Sequence, residues 1–445
     1  MNIFFIYPSV NLEREVNYGI ACLFGIIAAR GHSVDLYQPV RFDPGECVEA
    51  FRRKPYALCL VSSVTNQWPY ALGLIQAIKA VSPTPVVVGG HHVTNCPEEL
   101  ERHTEIDAIC IGEGDAAIGA LLDRIAGGEA FDAVPNLWVR HGEQIVRNDV
   151  GALVENLESL PFPDYSPFPP EAIAGRPSML LSRGCPYNCT YCCNNNLRKI
   201  YAGKGPWVRK KSVARALAEV KMFVDQYHPS FLNFDDDTFI KDRAWLFEFL
   251  DGYRRITGLP FDCNSRPETI NDAVCAALKA ANCRNLCIGI ESGNERLRRQ
   301  LYGRTMTNEA IISAFSSAHR HGLKTYSFNM VGAPGETFRD YLETVRLNQL
   351  VKPDAFQITT YYPFPGSQLY TQAKADGLID HGGYVDNYYS HSLLSMKQFP
   401  KWKIRYAAAT FSLRVRAGDK PGLRLYLRMM RMLIGAWLRS KGLRK

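Results

Sequence analysis

The sequence predicts an α/β protein with two domains of repeated β-α units, followed by a basic helical C-terminal extension. Short apolar segments alternate with helical segments over residues 1–127 and again from 179 to about 370, and a proline-rich stretch separates the two runs. With 445 residues, the chain is long enough for two or three complete hydrophobic cores. We expect domains at 1–150 and 176–375, a linker at 151–175 and an extension at 376–445.

The first run contains five β-α units, which is typical of a doubly wound parallel sheet. Ligands of such sheets bind beyond the carboxyl ends of the strands, where the strand order reverses. Strands are expected at Asn2–Tyr7, Ser33–Tyr37, Ala57–Ser63, Pro85–Gly89 and Ala108–Gly112, and helices near Gly19–Arg30, Pro69–Val81 and Ala116–Ile125.

The second run contains six β-α units with longer helices, which predicts a partial (β/α)6 barrel of TIM type. Active sites in such barrels lie at the carboxyl ends of the strands. Strands are expected at Met179–Ser182, Phe231–Phe234, Phe261–Ser265, Asn285–Ile290, Thr325–Val331 and Phe356–Tyr361. Helices are expected at Val213–Tyr227, Ala244–Tyr253, Ala273–Ala281, Asn308–His321 and Arg339–Leu350.

The linker is rich in proline between Pro161 and Pro170. Proline fixes φ and removes a backbone donor, so this segment is expected to be extended and stiff instead of helical. A stiff joint would hold the two domains at a fixed distance.

The 13 cysteines are an odd number, and outside residues 185–193 they are scattered singly. This pattern argues against a disulfide framework and favours a reducing cytoplasm. The first residues lack the features of a signal peptide, and no stretch has the length and apolar character of a membrane span.

Cys185, Cys189 and Cys192 lie within eight residues, directly after the apolar run Met179–Leu181. Three thiolates in one short loop can hold three irons of a [4Fe–4S] cluster and leave the fourth iron open. With Cys193 a four-thiolate zinc site is an alternative, although zinc motifs usually combine two separated C-x2-C pairs. A ferredoxin site is a second alternative, although its C-x2-C-x2-C spacing is absent.

The C-x3-C-x2-C spacing, with the aromatic Tyr191 before the last cysteine, resembles the radical S-adenosylmethionine (SAM) superfamily. The resemblance implies that SAM chelates the open iron, and that an electron from the cluster cleaves SAM to a 5′-deoxyadenosyl radical. It also implies an electron-donor partner such as a flavodoxin or ferredoxin.

Paired glycines and polar residues follow the third, fourth and fifth strands of the first domain. Glycine lets backbone approach a flat ligand closely, because no Cβ intervenes. The segments resemble the cobalamin-binding domain that precedes many radical SAM domains, while a generic flavodoxin-like domain with ordinary tight turns is the alternative. The resemblance implies cobalamin contacts from Ser62, Gly89, Gly90, His92, Thr94, Gly112, Glu113 and Gly114.

The loop after the first strand, Pro8–Leu12, lacks the Asp-x-His-x-x-Gly motif that supplies a histidine to cobalt in classical cobalamin domains. A bound cobalamin is therefore expected to lack a histidine ligand from that loop. The loop Ser63–Trp68 is the candidate for the lower face of the cobalt.

Polar and glycine-containing turns also follow the strands of the second domain. Asp235–Asp237 is expected either to hold SAM or to cap the next helix, since aspartate is a favoured N-cap residue. Glu291 lies in a segment that resembles the family's SAM motif, where a carboxylate faces SAM hydroxyl or amino groups. The full set of SAM contacts expected is Tyr191, Asp235, Asp237, Arg266, Glu291, Gly332, Pro334 and Tyr362.

Residues 401–445 contain 13 Lys or Arg and one acid, Asp419, so this segment has a net charge of +12. The whole chain has a net charge of +8, so the first 400 residues are negative overall. Leu423–Leu438 is predicted to be a basic amphipathic helix. Such a helix either lies on an anionic membrane, through residues 421–445, or packs on the barrel. Nucleic acid is the other acidic partner, but no known nucleic-acid-binding module accompanies the charge.

The resemblance as a whole implies a cobalamin-dependent radical SAM enzyme, most commonly a C-methyltransferase that acts on an unactivated carbon of a small or lipid-like molecule. A cobalamin-dependent radical cyclase or rearrangement enzyme without methyl transfer is the alternative. Two further alternatives are an iron–sulfur scaffold without turnover and a protein whose first domain has lost cobalamin. The expected location is the cytoplasm, with or without peripheral contact at the inner membrane face.

Overall fold

A computed structural model of the chain describes residues 1–379 and 391–418, with positions 427, 430–432, 434, 435 and 438 beyond them. The predicted helix Leu423–Leu438 lies for the most part outside the described residues. The chain forms two compact units, one of residues 1–186 and 193–233, the other of residues 187–192 and 234–445.

The first unit alternates strands and helices in the order predicted. Its strands are β1 (Asn2–Ile6), β2 (Ser33–Tyr37), β3 (Leu58–Ser62), β4 (Val86–Gly89), β5 (Ala108–Cys110), β6 (Leu137–His141), β7 (Gln144–Arg147), β8 (Ser178–Met179), β9 (Ser182–Arg183), β10 (Arg209–Lys210) and β11 (Leu232–Phe234), whose last residue begins the second unit. Its helices are α1 (Tyr18–Ala29), α2 (Pro44–Phe51), α3 (Trp68–Lys79), α4 (His91–Asn95), α5 (Glu99–Arg102), α6 (Asp115–Ala126), α7 (Pro170–Gly175), α8 (Asn194–Ile200) and α9 (Val213–Tyr227).

The main sheet of this unit has the strand order β2-β1-β3-β4-β5-β6-β7. The first five strands pair in parallel, which confirms the predicted doubly wound sheet. The strand order reverses between β1 and β3. Strands β6 and β7 form an antiparallel hairpin that was not predicted, and Gly142 takes a φ of +59° in its turn.

The central strands are apolar along their whole length because helices cover both faces of a parallel sheet. Val86, Val87 and Val88 of β4 are all buried, and Trp68 and Ile75 of α3 belong to the core cluster on one face. Such continuous apolar segments are the reason that strand positions could be predicted from sequence.

The proline-rich linker was predicted to be extended instead of helical, and this is wrong for Leu157–Ser159, which form a 3-10 helix, and for its last six residues. Residues 170–175 form the short helix α7, with Pro170 in its first turn. Proline is tolerated there because its missing N–H would have no partner inside the helix.

The second unit continues the β-α alternation. Its further strands are β12 (Phe261–Ser265), β13 (Cys283–Glu291), β14 (Lys324–Val331) and β15 (Ala355–Thr360). Its helices are α10 (Arg243–Ile256), α11 (Asp272–Ala280), α12 (Asn308–Arg320), α13 (Phe338–Val351), α14 (Gln368–Ala375) and α15 (Lys401–Ala417).

The six-stranded sheet has the order β15-β14-β13-β12-β11-β8, with parallel pairing from β12 to β15, as a partial barrel requires. Helix α15 packs on α13, where Tyr341 donates a hydrogen bond to the carbonyl of Ala407 at 2.8 Å. Among the helices of the described residues, none combines the length and apolar character needed to cross a bilayer.

Candidate functional site

The residues predicted to bind cobalamin lie together at the carboxyl edge of the first sheet. Ser62 ends β3, Gly89 ends β4 and Gly112 follows β5, and these three strands are neighbours. The edge adjoins the point between β1 and β3 where the strand order reverses, which is the ligand position in sheets of this class.

His92 points into the protein. Its side chain is 1 % exposed and its ring stacks on Trp68, with centroids 4.6 Å apart. Nδ1 lies 3.3 Å from Oγ1 of Thr65. Burial lowers the pKa of His92 to about 3, so the imidazole is neutral. The side chain therefore holds the loop after β4 in place, and only its backbone is near the sheet edge.

The glycines of these loops have different roles. A Cβ on Gly90, which has a φ of +95°, would lie 2.7 Å from the carbonyl oxygen of Ser63. A Cβ on Gly112, with a φ of +83°, would lie 2.2 Å from Oη of Tyr201. The space freed by these two glycines is thus filled by protein atoms. A Cβ on Gly89 would make an ordinary van der Waals contact with Cβ of Cys110 at 3.8 Å, so no protein atom crowds this position.

Thr94 and Glu113 also make internal bonds. The Gly112 N–H donates to Oγ1 of Thr94 at 3.0 Å, which joins the loops after β4 and β5. The Glu113 carboxylate accepts hydrogen bonds from Arg183 at 3.2 Å and from Arg209 at 3.0 Å. Sequence reasoning missed both arginines because Glu113 lies 70 and 96 residues away from them along the chain.

The cysteine loop connects β9 to α8. Cys189 is buried, Cys185, Cys192 and Cys193 are half-buried, and none of the four forms a disulfide. The Trp207 indole N–H donates to the carbonyl of Cys185 at 3.0 Å. Cys193 lies 4.0 Å from Nδ1 of His91. Three thiols within eight residues, none of them in a disulfide, are a donor set that fits a [4Fe–4S] cluster, in which each thiolate binds its own iron.

Within the described ranges, no three His, Cys, Asp or Glu side chains converge closely enough to hold a single metal ion. A mononuclear zinc site requires such convergence on one point. A cubane does not, because its thiolates bind separate irons.

Arg266, at the carboxyl end of β12, contacts the cysteine loop. Its Nη1 donates to Sγ of Cys189 at 3.3 Å, and its guanidinium lies 3.7 Å from the ring centroid of Tyr187. Glu268 pairs with it at 2.6 Å. A cationic donor therefore faces one predicted cluster thiolate, which adds to the fit of this loop to a cluster.

Glu291 and Tyr191 meet at a second arginine, Arg304. Its Nη1 lies 3.2 Å from Oη of Tyr191 and 3.6 Å from Oε1 of Glu291, and its Nη2 donates to the carbonyl of Gly289 at 2.6 Å. Burial raises the pKa of Glu291, although the Arg304 charge opposes this. Sequence reasoning missed Arg304, which lies outside every strand-end motif.

The remaining predicted SAM residues differ in exposure. Asp235 is half-buried and Asp237 is exposed, whereas Pro334 and Tyr362 are buried. The alternative that Asp235–Asp237 caps a helix is wrong, because Asp242 caps α10 by accepting a hydrogen bond from Trp245 N–H at 3.2 Å. The Gly332 N–H donates to Oε2 of Glu336 at 2.5 Å, so that amide already has a partner.

Two family models match the chain. The model of the Radical SAM superfamily matches residues 179–347, and the model of the B12 binding domain matches residues 13–122. The first match begins just before the cysteine loop, and the second contains the residues at the carboxyl edge of the first sheet.

The chain is similar to several known proteins. It is 29 % identical over 300 residues to an uncharacterized methyltransferase of Pyrococcus horikoshii, covering 66 % of this chain and 64 % of that protein. It is 26 % identical over 313 residues to bacteriochlorophyllide d C-8(2)-methyltransferase of Chlorobaculum tepidum, covering 66 % and 63 %. The chain thus spans less than two thirds of the length of these two relatives.

Among solved structures, the radical SAM methyltransferase TsrM from Kitasatospora setae has the same fold. Its TM-score is 0.69 at 17 % identity, covering 86 % of this chain and 79 % of TsrM.

The chain therefore belongs to the radical SAM enzymes that carry a cobalamin-binding domain. This confirms the fold class and the cofactor set predicted from the sequence, namely a [4Fe–4S] cluster, SAM and cobalamin. The residues that hold each cofactor remain predictions.

Proposed function

We propose that this protein is a cobalamin-dependent radical SAM methyltransferase that methylates an unactivated carbon of a small-molecule or lipid-like substrate. The pairing of a B12 binding domain with a radical SAM domain in one chain supports this most strongly. The names of the two relatives, both methyltransferases, favour methyl transfer over cyclisation.

Cys185, Cys189 and Cys192 would hold the cluster, and Cys193 would not, since its thiol lies beside His91. When bound, the cluster and SAM supply radical chemistry at carbon, and cobalamin supplies the methyl group. Arg266 would support the cluster through Cys189.

The other predicted SAM residues would form the walls of the SAM pocket. Glu291 would accept hydrogen bonds from SAM through its carboxylate, which Arg304 holds against Tyr191. Asp235 and Asp237 would contact polar groups of SAM, and Gly332, Pro334 and Tyr362 would close the pocket.

For cobalamin, the backbone of Ser62, Gly89, Gly90, Gly112 and Gly114, at the carboxyl ends of β3, β4 and β5, would form the contact surface. His92, Thr94 and Glu113 would act beneath that surface by fixing the loops. An acidic one-electron carrier of the flavodoxin or ferredoxin type would supply electrons. Residues 421–445 would make peripheral contact with an anionic membrane from the cytoplasmic side.

The first test uses protein reconstituted anaerobically with iron, sulfide, hydroxocobalamin and SAM, plus a strong reductant. We expect 5′-deoxyadenosine by mass spectrometry, and label from SAM with a deuterated methyl group in a product of a cell extract. Cys185→Ala, Cys189→Ala and Cys192→Ala should each lose the cluster absorbance and 5′-deoxyadenosine, because each thiolate binds one iron.

Cys193→Ala is the matched control and should keep its iron. Equal loss in all four variants would indicate a four-thiolate site instead. Products that lose hydrogen without gaining methyl would indicate the cyclase, and no 5′-deoxyadenosine from intact clusters would indicate a scaffold.

A further inference from the structure

The segment around the cysteine loop is strongly cationic. Residues 172–218 contain nine Lys or Arg and no Asp or Glu. In a folded protein such a run needs acidic partners from elsewhere, because unpaired buried cations are costly.

Two of those partners follow β5, at the edge predicted to bind cobalamin. Arg183, two residues before Cys185, forms a bidentate pair with Asp115 at 2.7 and 2.9 Å and contacts Glu113 at 3.2 Å. Arg209 in β10 lies opposite Arg183 in the antiparallel neighbouring strand β9. Its side chain donates a hydrogen bond to Glu113 at 3.0 Å. The Arg209 side chain is 2 % exposed, and Glu113 is 25 % exposed.

Uncharged contacts join the same segments. Oη of Tyr201 accepts a hydrogen bond from the Glu113 N–H at 2.6 Å and another from Asn136 at 3.2 Å. Asn196 in α8 donates to Asn95 at 2.8 Å. Residues on both sides of the cysteine loop are therefore bonded to the loops after β4 and β5.

We infer that Glu113, with Arg183 and Arg209, is a positioning group that couples cobalamin binding to assembly of the cluster. Glu113 links the two segments through charge-assisted bonds that form only when both segments are in place. A cofactor that orders one segment lowers the cost of ordering the other, and this coupling is reciprocal. The inference depends on the cofactor assignments of the proposed function.

The test measures the Kd of hydroxocobalamin by absorbance, on full-length protein with and without reconstituted iron and sulfide. We expect the wild type to bind about tenfold more tightly when the cluster is present, a typical coupling. Glu113→Gln keeps the size of the side chain and removes its charge. For this variant, the ratio of the Kd without the cluster to the Kd with the cluster should fall towards one.

Asp107→Asn is the matched control. Asp107 lies at the opposite end of β5 and also pairs with a cation, Lys79, at 3.0 Å. Its removal should leave the wild-type ratio unchanged. A uniform loss of affinity in Glu113→Gln, with the ratio kept, would mean that the residue is only structural and would overturn the inference.

Arg209→Lys gives a second variant should Glu113→Gln fold poorly by circular dichroism. It keeps the charge but loses the two bonds that Nη1 and Nη2 of Arg209 donate to the two carboxylate oxygens of Glu113, and its ratio should also fall. Equal Kd values for the two wild-type forms would overturn the coupling while leaving the proposed function intact. Failure of both wild-type forms to bind cobalamin would overturn both.

Discussion

Arg266 shows how one side chain connects a strand end to the cysteine loop. It was predicted as a SAM contact from its place after β12, yet in the structure it donates to Sγ of Cys189 and stacks on Tyr187. Hydrogen bonds to cluster sulfurs and nearby positive charge are among the factors that set cluster potentials. We therefore expect Arg266 to act on the predicted cluster through Cys189 in addition to its predicted contact with SAM.

We expect Arg266→Met to shift the cluster's reduction potential to a more negative value at unchanged iron content. The reduced cluster carries more negative charge and loses its cationic donor. A potentiometric titration followed by electron paramagnetic resonance measures this. Arg284→Met removes a comparable guanidinium, paired with Asp262 at 2.5 Å at the other end of β12, and should leave the potential unchanged. An unaltered potential in Arg266→Met would contradict the prediction.

The backbone of Glu291, a predicted SAM-binding residue, is strained. Its φ is +65°, in the left-handed region that costs a non-glycine residue on the order of 1–2 kcal/mol. The strand register shifts between Gly289 and Glu291, which turns this carboxylate towards Arg304. Backbone strain of this kind often accompanies function, and here it coincides with the motif that resembles the SAM segment.

The turn after β14 is held by a buried carboxyl group. Oε2 of Glu336 accepts the N–H groups of Gly332 and Ala333, at 2.5 and 3.0 Å, and Oε1 has no hydrogen-bond partner within the described part of the chain. Burial raises the pKa of Glu336 from 4.5 to about 8. The side chain therefore favours the protonated form in the folded state.

This raised pKa makes stability depend on pH. The contribution of the protonated carboxyl is fully present below about pH 4.5 and is lost as the pH rises towards 8, because the folded state binds the proton more tightly. We expect the free energy of unfolding to fall across this range by on the order of 4 kcal/mol, and to fall less in Glu336→Gln. Urea unfolding at pH 5, 6.5 and 8 measures it. The exposed Glu248→Gln should behave as wild type, and parallel curves for wild type and Glu336→Gln would refute the assignment.

At the scale of the whole molecule, charge is unevenly distributed along the chain. Residues 421–445 contain seven Lys or Arg and no acid, while the first 400 residues carry a net negative charge. Each cation near an anionic membrane surface contributes about 1 kcal/mol of attraction, which salt weakens.

We expect the full chain to sediment with phosphatidylglycerol vesicles at low salt, and deletion of residues 421–445 to release it. Formation of 5′-deoxyadenosine should remain, since the predicted cofactor residues all precede this segment. Replacing Arg424, Arg428, Arg431 and Arg439 by Gln tests the charge without changing the length. Full-length protein that does not bind the vesicles would end this proposal.

The sequence by itself determined the positions of strands β1 to β5 and the β-α units of the second domain, and it predicted the three cluster thiols. Those features depend on local pattern: buried parallel strands are continuous apolar segments, and the cluster ligands lie within eight residues. Only the tertiary structure decided what Gly90, His92 and Glu113 contact, and it alone found Arg183, Arg209 and Arg304. Their partners lie far away along the chain, and no local pattern of residues encodes a pairing that arises only when distant strand ends meet.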